Sequence, residues 1–424
     1  MKWRTNIFIA VVLTLALFAF AGCTHTRWWK GNIHTHSLFS DGKDYPEMVA
    51  DWYKRNGYNF LAMSDHNILS QEQKWINVKD NGKEEVFRKY RERFGGKWIE
   101  QQPITSGRQV RLKPIDEFRC LFEEPGRFLL IEAEEITCKK NVHLNKSVHL
   151  NAINLRGLIQ PQDGNTITEM LQNNTSAVLT QKQDTAQPML VQINHPNFRW
   201  TLTAEDIAPI GNAGFFEVYN GYSGANNSGD RYRAGTERMW DVILTKRLAE
   251  LNLPIIYGTA ADDAHNFHKY GPEMENPGRG WLMVRADYLT PEFIIKAMEG
   301  GNFYATTGIV LEDIKFDGKT LRVKIKPEIG ISYTTQFIGT LKGCDLTGKP
   351  MIDANGTEIR TTQIYSTDIG RVLAEVKGTA ASYTCTGNEI YVRAKVISTK
   401  PKYNVATAGE VEVAWIQPVI PKSR

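Results

Sequence analysis

The sequence of 424 residues predicts an α/β fold followed by a smaller all-β region. Between about residues 28 and 308, short apolar runs alternate with helical stretches, a pattern typical of a parallel sheet covered by helices. After Gly308 the pattern changes to alternating strands separated by turn signals such as Asp317-Gly318 and Asn355-Gly356. We therefore expect a sandwich-like all-β accessory domain over residues 309–424.

Seven apolar runs are candidate strands of the first region. They cover residues 31–36, 59–63, 128–133, 149–154, 189–193, 214–219 and 254–258. A helix is predicted to begin near Pro46, with Asp44 as its N-cap and Gly57 at its end. Residues 70–127 are expected to form a mostly helical or irregular insertion between two strands, and residues 160–185 a second polar connection.

The N-terminal residues have the composition of a secretory signal. Lys2 and Arg4 precede an apolar run over residues 7–21, which at about 15 residues is short for a membrane-spanning helix. The ending Phe20-Ala21-Gly22-Cys23 resembles a bacterial lipoprotein signal, in which the cysteine is lipidated and becomes the first residue. A plain signal peptide and an uncleaved anchor are the alternatives.

The domain plan and the localisation follow from this reading of the N-terminus. We expect a signal peptide over residues 1–22, a tether over residues 23–30, and a barrel domain over residues 31–308. Lipidation of Cys23 would anchor an exported protein to the bacterial envelope. Thr24 stands where an aspartate would favour retention at the inner membrane, so the periplasmic side of the outer membrane is favoured.

Charge and cysteine content exclude two classes of protein. The net charge of +4 is small for this length, so no nucleic acid is expected as a partner. The other cysteines are Cys120, Cys138, Cys344 and Cys385, and none forms a Cys-x-x-Cys pair that would predict a thiolate zinc site. In an oxidising compartment Cys344 and Cys385 could pair, or both could be free thiols.

His34 and His36 flank Thr35 at the end of the first predicted strand. Residues i and i+2 of a strand face the same side, so both imidazoles can reach one metal ion. Other histidines and carboxylates follow later strands in the same way: His66, His149, His195, His265, Asp41, Asp65, Glu134, Glu135, Glu217, Asp262 and Asp263. In an α/β barrel the carboxyl ends of the strands meet on one face. Nitrogen and oxygen ligands without thiolate suit zinc, manganese or iron.

Several short motifs occur in a fixed order along the first region. They are His34-Thr-His36 with Ser40-Asp41-Gly42, Ser64-Asp65-His66-Asn67, Glu135-Ile-Thr, His149, Asn194-His195-Pro196 and Asp263-Ala-His265. In order and spacing they resemble the motifs of the PHP family, the polymerase and histidinol phosphatase metallohydrolases, over roughly two-thirds of the chain. The resemblance implies a distorted seven-stranded (β/α) barrel of PHP type with a trinuclear metal cluster.

The resemblance also implies a set of nine metal ligands, of which Glu135 bridges two ions. The expected sets are His34, His36, Glu135 and Asp263 for one ion, Glu135, His149 and His195 for the second, and His66 and His265 with Asp41 for the third. Glu135 is preferred to Glu134 because the family's glutamate precedes an aliphatic residue and a serine or threonine. Asp263 is preferred to Asp262 because it alone forms Asp-x-His.

Three further residues are candidates for catalysis. Asp65 is expected to orient a ligand histidine, and Glu217 and Arg279 to handle substrate, with Arg231 and Arg238 as further candidates for binding an anion. Each arginine could equally form an ordinary ion pair. His143 and His268 lie outside the motif pattern and are interpreted as bystanders.

The expected activity is hydrolysis of a phosphomonoester or phosphodiester by metal-bound hydroxide at a centre of two or three divalent ions. The alternative is a carboxyl or carbamate ester, because residues 281–308 and the β region after them resemble a PHP subgroup that includes carbaryl-hydrolase-type carbamate esterases. Arginines in the pocket would favour phosphate, and aromatic residues an aryl ester. A non-catalytic binding protein that retains the fold is the third hypothesis. The β region would support the barrel or bind glycans.

Overall fold

The computed structural model describes residues 26–78, 83–105, 107–138 and 146–422. The predicted signal peptide, Cys23 and His143 lie outside the described residues. Within those ranges, no helix is both long enough and apolar enough to cross a membrane.

Twelve strands lie within the described residues of the first region. Their bounds are β1 Arg27–Asn32, β2 Phe60–Met63, β3 Lys74–Val78, β4 Gln101–Ile104, β5 Gly107–Leu112, β6 Leu129–Cys138, β7 Val148–Ile153, β8 Leu190–Ile193, β9 Phe215–Asn220, β10 Tyr257–Ala261, β11 Trp281–Ala286 and β12 Phe303–Thr306. The helices are α1 Pro46–Arg55, α2 Lys83–Phe94, α3 Ile115–Phe122, α4 Ile167–Thr185, α5 Ala204–Ile207, α6 Thr236–Ala249 and α7 Pro291–Glu299.

The seven strands nearest to the predicted runs are consecutive neighbours in one sheet, in the order β10-β9-β8-β7-β6-β2-β1. The first lies earlier than predicted: β1 ends at Asn32, so His34 and His36 follow the strand and do not belong to it. Strands β1, β2 and β6 are parallel, as are β8, β9 and β10, but β7 is antiparallel to both of its neighbours. The prediction of a wholly parallel sheet is therefore wrong at β7. Residues 139–147 separate β6 from β7, a connection too short for the crossover that parallel strands need.

The segments that follow β1 and β10 meet at one end of the sheet. Thr35 and Ala264 form a parallel bridge, and the His36 amide donates to the Ala264 carbonyl at 2.9 Å. The Asp263 amide donates to the His34 carbonyl at 3.0 Å. These contacts place two ligand motifs side by side, although a closed seven-stranded barrel stays a prediction.

The insertion is more regular than predicted. Most of its described residues are helical or irregular, as predicted, in α2, α3 and the connections, but it also contains a three-stranded antiparallel sheet in the order β3-β5-β4 that the sequence did not predict. Ile76, Phe87 and Val110 pack there against Phe39 and Tyr45, which lie in the segment after the first histidine motif. The strands have few buried positions, which is why their apolar pattern is weak in the sequence.

The first predicted helix is present, but Asp44 does not cap it. Tyr45 holds the N-cap position without a side-chain cap bond, and Pro46 is the first helical residue. The Asp44 carboxylate lies 3.1 Å from His268 Nε2. Gly57 follows the helix end with a φ of 74°, a conformation that favours glycine.

Nine strands follow Gly308, and no helix lies within residues 309–422. They are β13 Leu311–Phe316, β14 Thr320–Ile325, β15 Tyr333–Leu341, β16 Lys349–Ile352, β17 Glu358–Ile364, β18 Arg371–Lys377, β19 Ala380–Thr384, β20 Glu389–Pro401 and β21 Val411–Val419. Strand β21 pairs with both β12 and β20, so the main sheet continues from one region into the other. A separate all-β domain, with its boundary at residue 308, stays a prediction.

The four described cysteines are all free thiols. Cys138 and Cys385 are buried, Cys120 is exposed, and Cys344 is half-buried. Of the two alternatives for Cys344 and Cys385, the structure has the unpaired one.

Candidate metal centre

The histidines and carboxylates of the predicted ligand set lie at one end of the sheet. His34 and His36 follow β1, His66 follows β2, and His195 follows β8, while Asp263 and His265 follow β10. Glu135 and His149 lie within β6 and β7. Most of these positions are therefore irregular backbone just beyond a strand, where the chain can turn a side chain toward the centre of the sheet's end.

The side chains form four overlapping groups, in each of which the potential ligand atoms lie within 4.8 Å of one another. The groups are His36, Asp41, His66 and His265; His34, His36 and Asp263; His34, Glu135 and His195; and His66, Glu135 and His149. All nine predicted ligands occur in at least one group. The second group contains three of the four ligands expected for the first ion, and the first group contains all three expected for the third ion.

Glu135 lies at the centre of these groups. Five imidazole nitrogens surround its carboxylate: His66 Nδ1 at 2.8 Å, His149 Nδ1 at 3.1 Å, His195 Nε2 at 3.2 Å, His34 Nε2 at 3.4 Å and His36 Nε2 at 3.5 Å. Burial raises the pKa of Glu135, but the neighbouring imidazoles of His66, His34 and His149 outweigh burial and hold that pKa well below its usual range. This carboxylate has the position of a bridging ligand.

Three imidazoles are held from behind by a hydrogen bond to the other ring nitrogen. His34 Nδ1 lies 2.7 Å from Glu217 Oε1, and His265 Nδ1 lies 3.0 Å from the Asp263 carbonyl. His36 Nδ1 lies 3.4 Å from Ser40 Oγ. Donation from Nδ1 leaves the Nε2 lone pair of each ring free for a metal ion.

The electrostatic environment differs between the two histidines of the first motif. Burial and the neighbouring imidazoles of His265 and His66 lower the pKa of His36 to about 4, so its neutral form is favoured. Burial also opposes protonation of His34, but Asp263, Glu217 and Glu135 outweigh burial and raise its pKa well above the usual value. A cation at this position would replace the proton that these carboxylates attract.

Several buried atoms of the centre make no hydrogen bond within the described residues. They are His34 Nε2, His36 Nε2 and Glu135 Oε2. Buried polar atoms in folded proteins are almost always paired, so this set indicates a missing electrophilic partner. The donors are imidazole nitrogens and carboxylate oxygens, which suit divalent zinc, manganese or iron. The residues present therefore fit a centre of divalent metal ions.

The two ambiguous acidic pairs are separated by the direction of their side chains. Glu134 faces away from the centre, accepts a bond from the Ile159 amide at 3.2 Å, and has its pKa raised to about 8 by burial. Asp262 accepts bonds from the amides of Arg279 and Gly280 and from the Tyr53 hydroxyl. Of these four acidic residues, only Glu135 and Asp263 contact the histidines of the centre.

Arg279 does not reach the cavity of the centre, so the expectation that it handles substrate is wrong. Its side chain is fully buried and its guanidinium donates to the backbone carbonyls of Gly221, Gly271, Asn404 and Val405. The connection between β20 and β21 supplies two of these carbonyls. Arg279 therefore joins the loops of the two regions.

Arg238 and Arg231 also lie outside the cavity lining. The Arg238 guanidinium donates to the backbone carbonyls of Tyr365, Ser366 and Ile369. Arg231 is exposed, with its guanidinium 5.2 Å from the Tyr232 ring centroid.

Glu217 and Asp65 are buried and position other groups. Glu217 contacts the His34 ring through Oε1 and accepts the His195 amide at 2.7 Å through Oε2, so it holds two ligand residues and does not line the cavity. Asp65 accepts bonds from the amides and hydroxyls of Ser37 and Ser40. Its effect on a ligand histidine is indirect, because Ser40 stands between Asp65 and His36.

The residues that form the wall of the cavity were not predicted from the sequence. The cavity has a volume of about 540 Å³, and the lining residues outside the ligand set are Thr137, Ser147, Phe198, Arg199 and Tyr222. The Arg199 guanidinium has no ion-pair or hydrogen-bond partner within the described residues. Phe198 packs edge-on against His195 at 5.1 Å and against Tyr222 at 5.6 Å.

An uncommon backbone turn places Phe198 and Arg199 at the cavity. Arg199 and Trp200 have φ values of 51° and 55°, in the left-handed region that non-glycine residues rarely adopt. The Lys146 ammonium donates to the carbonyls of both residues, at 3.0 and 3.3 Å. Only the nearby Asn194-His195-Pro196 motif could have drawn attention to this turn.

Comparison with protein-family models and with curated proteins gives no match. Three similar solved structures have low identity. A two-domain protein of Bacteroides vulgatus ATCC 8482 containing a predicted PHP-like metal-dependent phosphoesterase is 13% identical, with a TM-score of 0.38, over 92% of this chain and 95% of that chain. PsfC of Pseudomonas syringae PB-5123 is 13% identical, with a TM-score of 0.32, over 64% and 88%.

The third structure, from Bifidobacterium adolescentis ATCC 15703, bears the name of a metal-dependent phosphoesterase. It is 14% identical, with a TM-score of 0.28, over 56% of this chain and 88% of that chain. At these TM-scores the likenesses transfer no residue role and no activity to this chain.

Proposed function

We propose that this chain is a metal-dependent hydrolase that cleaves phosphate esters. The observation that carries the proposal is the Glu135 carboxylate, which lies within 3.5 Å of five imidazoles while its Oε2 makes no hydrogen bond. Within the described residues, no lysine or arginine pairs with Glu135 or Asp263. A buried group of carboxylates and imidazoles without a lysine or arginine partner is suited to binding a metal cation from solution.

The nine residues of the four groups would hold two or three ions, with zinc, manganese and iron as the candidates. Divalent ions at such a centre acidify a coordinated water and stabilise the negative charge that develops on the attacked group. Glu217 fixes the ring of His34, and the Asp65–Ser40 pair supports that of His36. These contacts hold the donor atoms in place before an ion arrives.

Arg199 favours an anionic substrate. Its guanidinium is unpaired within the described residues and lines the same cavity as the ligand set. A planar guanidinium can donate two parallel hydrogen bonds to a phosphate, which makes arginine a frequent phosphate-binding residue. We assign Arg199, in place of Arg279, as the residue that binds the substrate phosphate.

A carboxyl or carbamate aryl ester is the second candidate, because Phe198 and Tyr222 give the cavity an aromatic wall. The same wall would accommodate the aryl group of an aryl phosphate. The two candidates therefore differ in what they require of Arg199: a phosphate ester carries negative charge before cleavage, and a carboxyl or carbamate ester does not.

We also propose that the barrel is closed and of PHP type, and that the chain belongs to the PHP family and to its carbamate-esterase subgroup. A lipid anchor is the last part of the proposal. The bridge between Thr35 and Ala264 supports closure of the barrel. The sequence of residues 1–23 supports an exported lipoprotein with its lipid on Cys23, on the periplasmic side of the outer membrane.

The test uses the full chain, purified in a detergent without a phosphate or sugar headgroup. Bound metal is measured, and hydrolysis of p-nitrophenyl phosphate, bis-p-nitrophenyl phosphate, p-nitrophenyl acetate and an aryl carbamate is compared. We expect bound divalent metal and turnover of at least one phosphate ester. Turnover of only the carboxyl or carbamate esters would replace the first candidate with the second. If the protein held no metal and hydrolysed none of these esters after addition of manganese or zinc, the remaining hypothesis would be a non-catalytic binding protein.

Arg199→Ala separates the two candidates further. We expect KM for the phosphate ester to rise about tenfold or more, with little change for a carboxyl ester, because only the phosphate loses a charged hydrogen-bond donor. Arg199→Lys should restore part of the loss. Arg231→Ala is the matched control, because Arg231 is exposed and lies outside the cavity lining.

A further inference from the structure

A second cavity lies where the two regions of the chain meet. Its volume is about 290 Å³, and it shares no lining residue with the cavity of the metal centre. Lys30 on β1 and Trp52 on α1 line it from the first region, and Glu412 on β21 lines it from the second. The connection between β20 and β21 adds Tyr403 and Asn404. The volume lies at the lower end of the range for small-molecule sites.

Five aromatic side chains dominate the wall of this cavity: Trp52, Tyr58, Tyr270, Trp281 and Tyr403. The ring centroids of Trp52 and Trp281 lie 6.2 and 6.3 Å from that of Tyr58. Tyr403 is 86% exposed and Tyr270 is 50% exposed. Aromatic rings carry a large apolar area with a polar edge, and grouped at a surface they mark a binding site.

Lys30 determines the charge of a suitable ligand. Its ammonium lies 3.9 Å from the Tyr58 ring centroid and 4.3 Å from that of Trp281, and it donates to the Asn56 carbonyl at 3.4 Å. A cage of aromatic rings ordinarily binds a cationic ligand. Here the chain's own ammonium occupies two of the ring faces and repels a second cation. The one carboxylate that lines the cavity, Glu412, is paired with Lys400 at 3.2 Å.

The cavity also presents polar atoms that lack partners. The side-chain amides of Asn56 and Asn404 donate to the carbonyls of Trp52 and Pro277, and no described group donates to their Oδ1 atoms. Two amide oxygens are thus available to accept hydrogen bonds from a ligand's hydroxyl groups.

We propose that this cavity is a carbohydrate-binding site that takes a neutral sugar ring. A pyranose has an apolar face of C–H groups, which stacks on an aromatic ring, and a rim of hydroxyls, which are hydrogen-bond donors. The rings that Lys30 does not cover, those of Trp52, Tyr270 and Tyr403, supply the stacking surface, and Asn56 and Asn404 supply acceptors. The site is independent of the metal centre, so the proposal of a sugar site does not depend on which ester the centre cleaves.

The test is saturation-transfer NMR and calorimetric titration of the full chain in a detergent without a sugar headgroup. The probes are glucose, galactose, N-acetylglucosamine and the disaccharides cellobiose, lactose and chitobiose. We expect at least one sugar to bind with a dissociation constant of about 1 mM or lower, which corresponds to a binding free energy of about −4 kcal/mol. Its C–H protons should receive the strongest saturation.

Variants locate the bound sugar. Tyr403→Ala should weaken binding about tenfold, and Asn56→Ala with Asn404→Ala should weaken it further. Tyr288→Ala is the matched control, because Tyr288 is 52% exposed and lies outside the cavity. The proposal is overturned if no sugar binds at about 10 mM, or if binding is unchanged in Tyr403→Ala. Binding of tetramethylammonium or phenol in place of sugars would also overturn it.

Discussion

Two groups of buried charged side chains differ in where their positive charge comes from. At the contact between α6 and β20, Asp241 accepts two hydrogen bonds from Arg393, each of 2.7 Å, and one from the Tyr391 hydroxyl at 2.8 Å. In the metal centre, Glu135 and Asp263 are just as buried, but no lysine or arginine of the described residues pairs with them. A buried carboxylate stays charged only beside cationic or hydrogen-bonding partners. Where an arginine supplies the positive charge the group joins two elements, and where only imidazoles surround the carboxylates the group can bind metal.

The same distinction separates the glutamates of β6. Burial raises the pKa of Glu132 to about 7 and that of Glu134 to about 8, whereas the pKa of Glu135 is held well below its usual range by its imidazole neighbours. Glu134 and Glu135 are adjacent in sequence, so a substitution at each gives a closely matched pair.

The largest expected effect is that of Glu135→Gln, which tests whether the centre binds metal. The amide keeps the size of the side chain and removes the charge that draws the cation. We expect bound metal to fall and hydrolysis to drop by at least about a hundredfold. Metal content and turnover measured on purified protein check this.

Glu134→Gln is its control and should keep both metal and activity, because the Glu134 carboxyl faces away from the centre and accepts only a backbone amide. Equal loss in the two variants would contradict the assignment of Glu135.

The second prediction concerns the group that contains its own cation. Asp241→Ala leaves the Arg393 guanidinium buried without its counter-ion, so the free energy of unfolding should fall by about 3–5 kcal/mol. Urea unfolding checks the value, and the folded variant should retain its metal. Glu92→Ala, which removes an exposed pair with Arg88, should cost less than about 1 kcal/mol. If Asp241→Ala lost its metal as well as its stability, the distinction between the Asp241 group and the metal centre would be wrong.

The third prediction tests the support behind a ligand. Glu217→Gln weakens the hydrogen bond that orients His34 and leaves all nine ligand residues in place. We expect metal affinity to fall about 10–100-fold, measured by competition with a chelator. Glu299→Gln, at an exposed pair with Lys182, should leave the affinity unchanged. An unchanged affinity in Glu217→Gln would show that packing alone orients the ring.

The last prediction is a pH dependence at Glu132, which lies outside the metal centre and has only a distant ion-pair partner, the Arg119 guanidinium at 3.9 Å. Burial and the charge of Asp116 raise its pKa to about 7, against the opposing contacts of Gln71 and Arg119. The folded state therefore holds the proton more tightly than the unfolded state, so this residue's contribution to stability falls as the pH rises from about 4.5 to 7.

Glu132→Gln removes this term. Relative to the wild type, the variant should gain about 2–3 kcal/mol of unfolding free energy between pH 4.5 and pH 8. Urea unfolding at several pH values checks this, and parallel pH profiles of the two proteins would contradict it.

The ligand set was accessible from sequence because histidines and carboxylates follow apolar runs in a recognisable order, and strand ends bring such positions together. The antiparallel direction of β7 could not be predicted from its own apolar pattern, because the direction depends on the length of the connection between β6 and β7. Arg199 lies on a left-handed turn that Lys146 holds from another segment. Two of the carbonyls that accept hydrogen bonds from Arg279, those of Asn404 and Val405, are 125 and 126 residues away in sequence. These roles depend on tertiary contacts that no local pattern encodes.

The order of strands in the main sheet has a consequence for how the protein is made. Strand β21, the last in the described chain, lies between β12 and β20, so β12 has no neighbour on that side until residues 411–419 have been synthesised. A ribosome-bound or truncated chain that ends earlier carries an open strand edge, which can pair with another copy. Pairing of β21 with β12 therefore covers a strand edge that would otherwise be open to another chain.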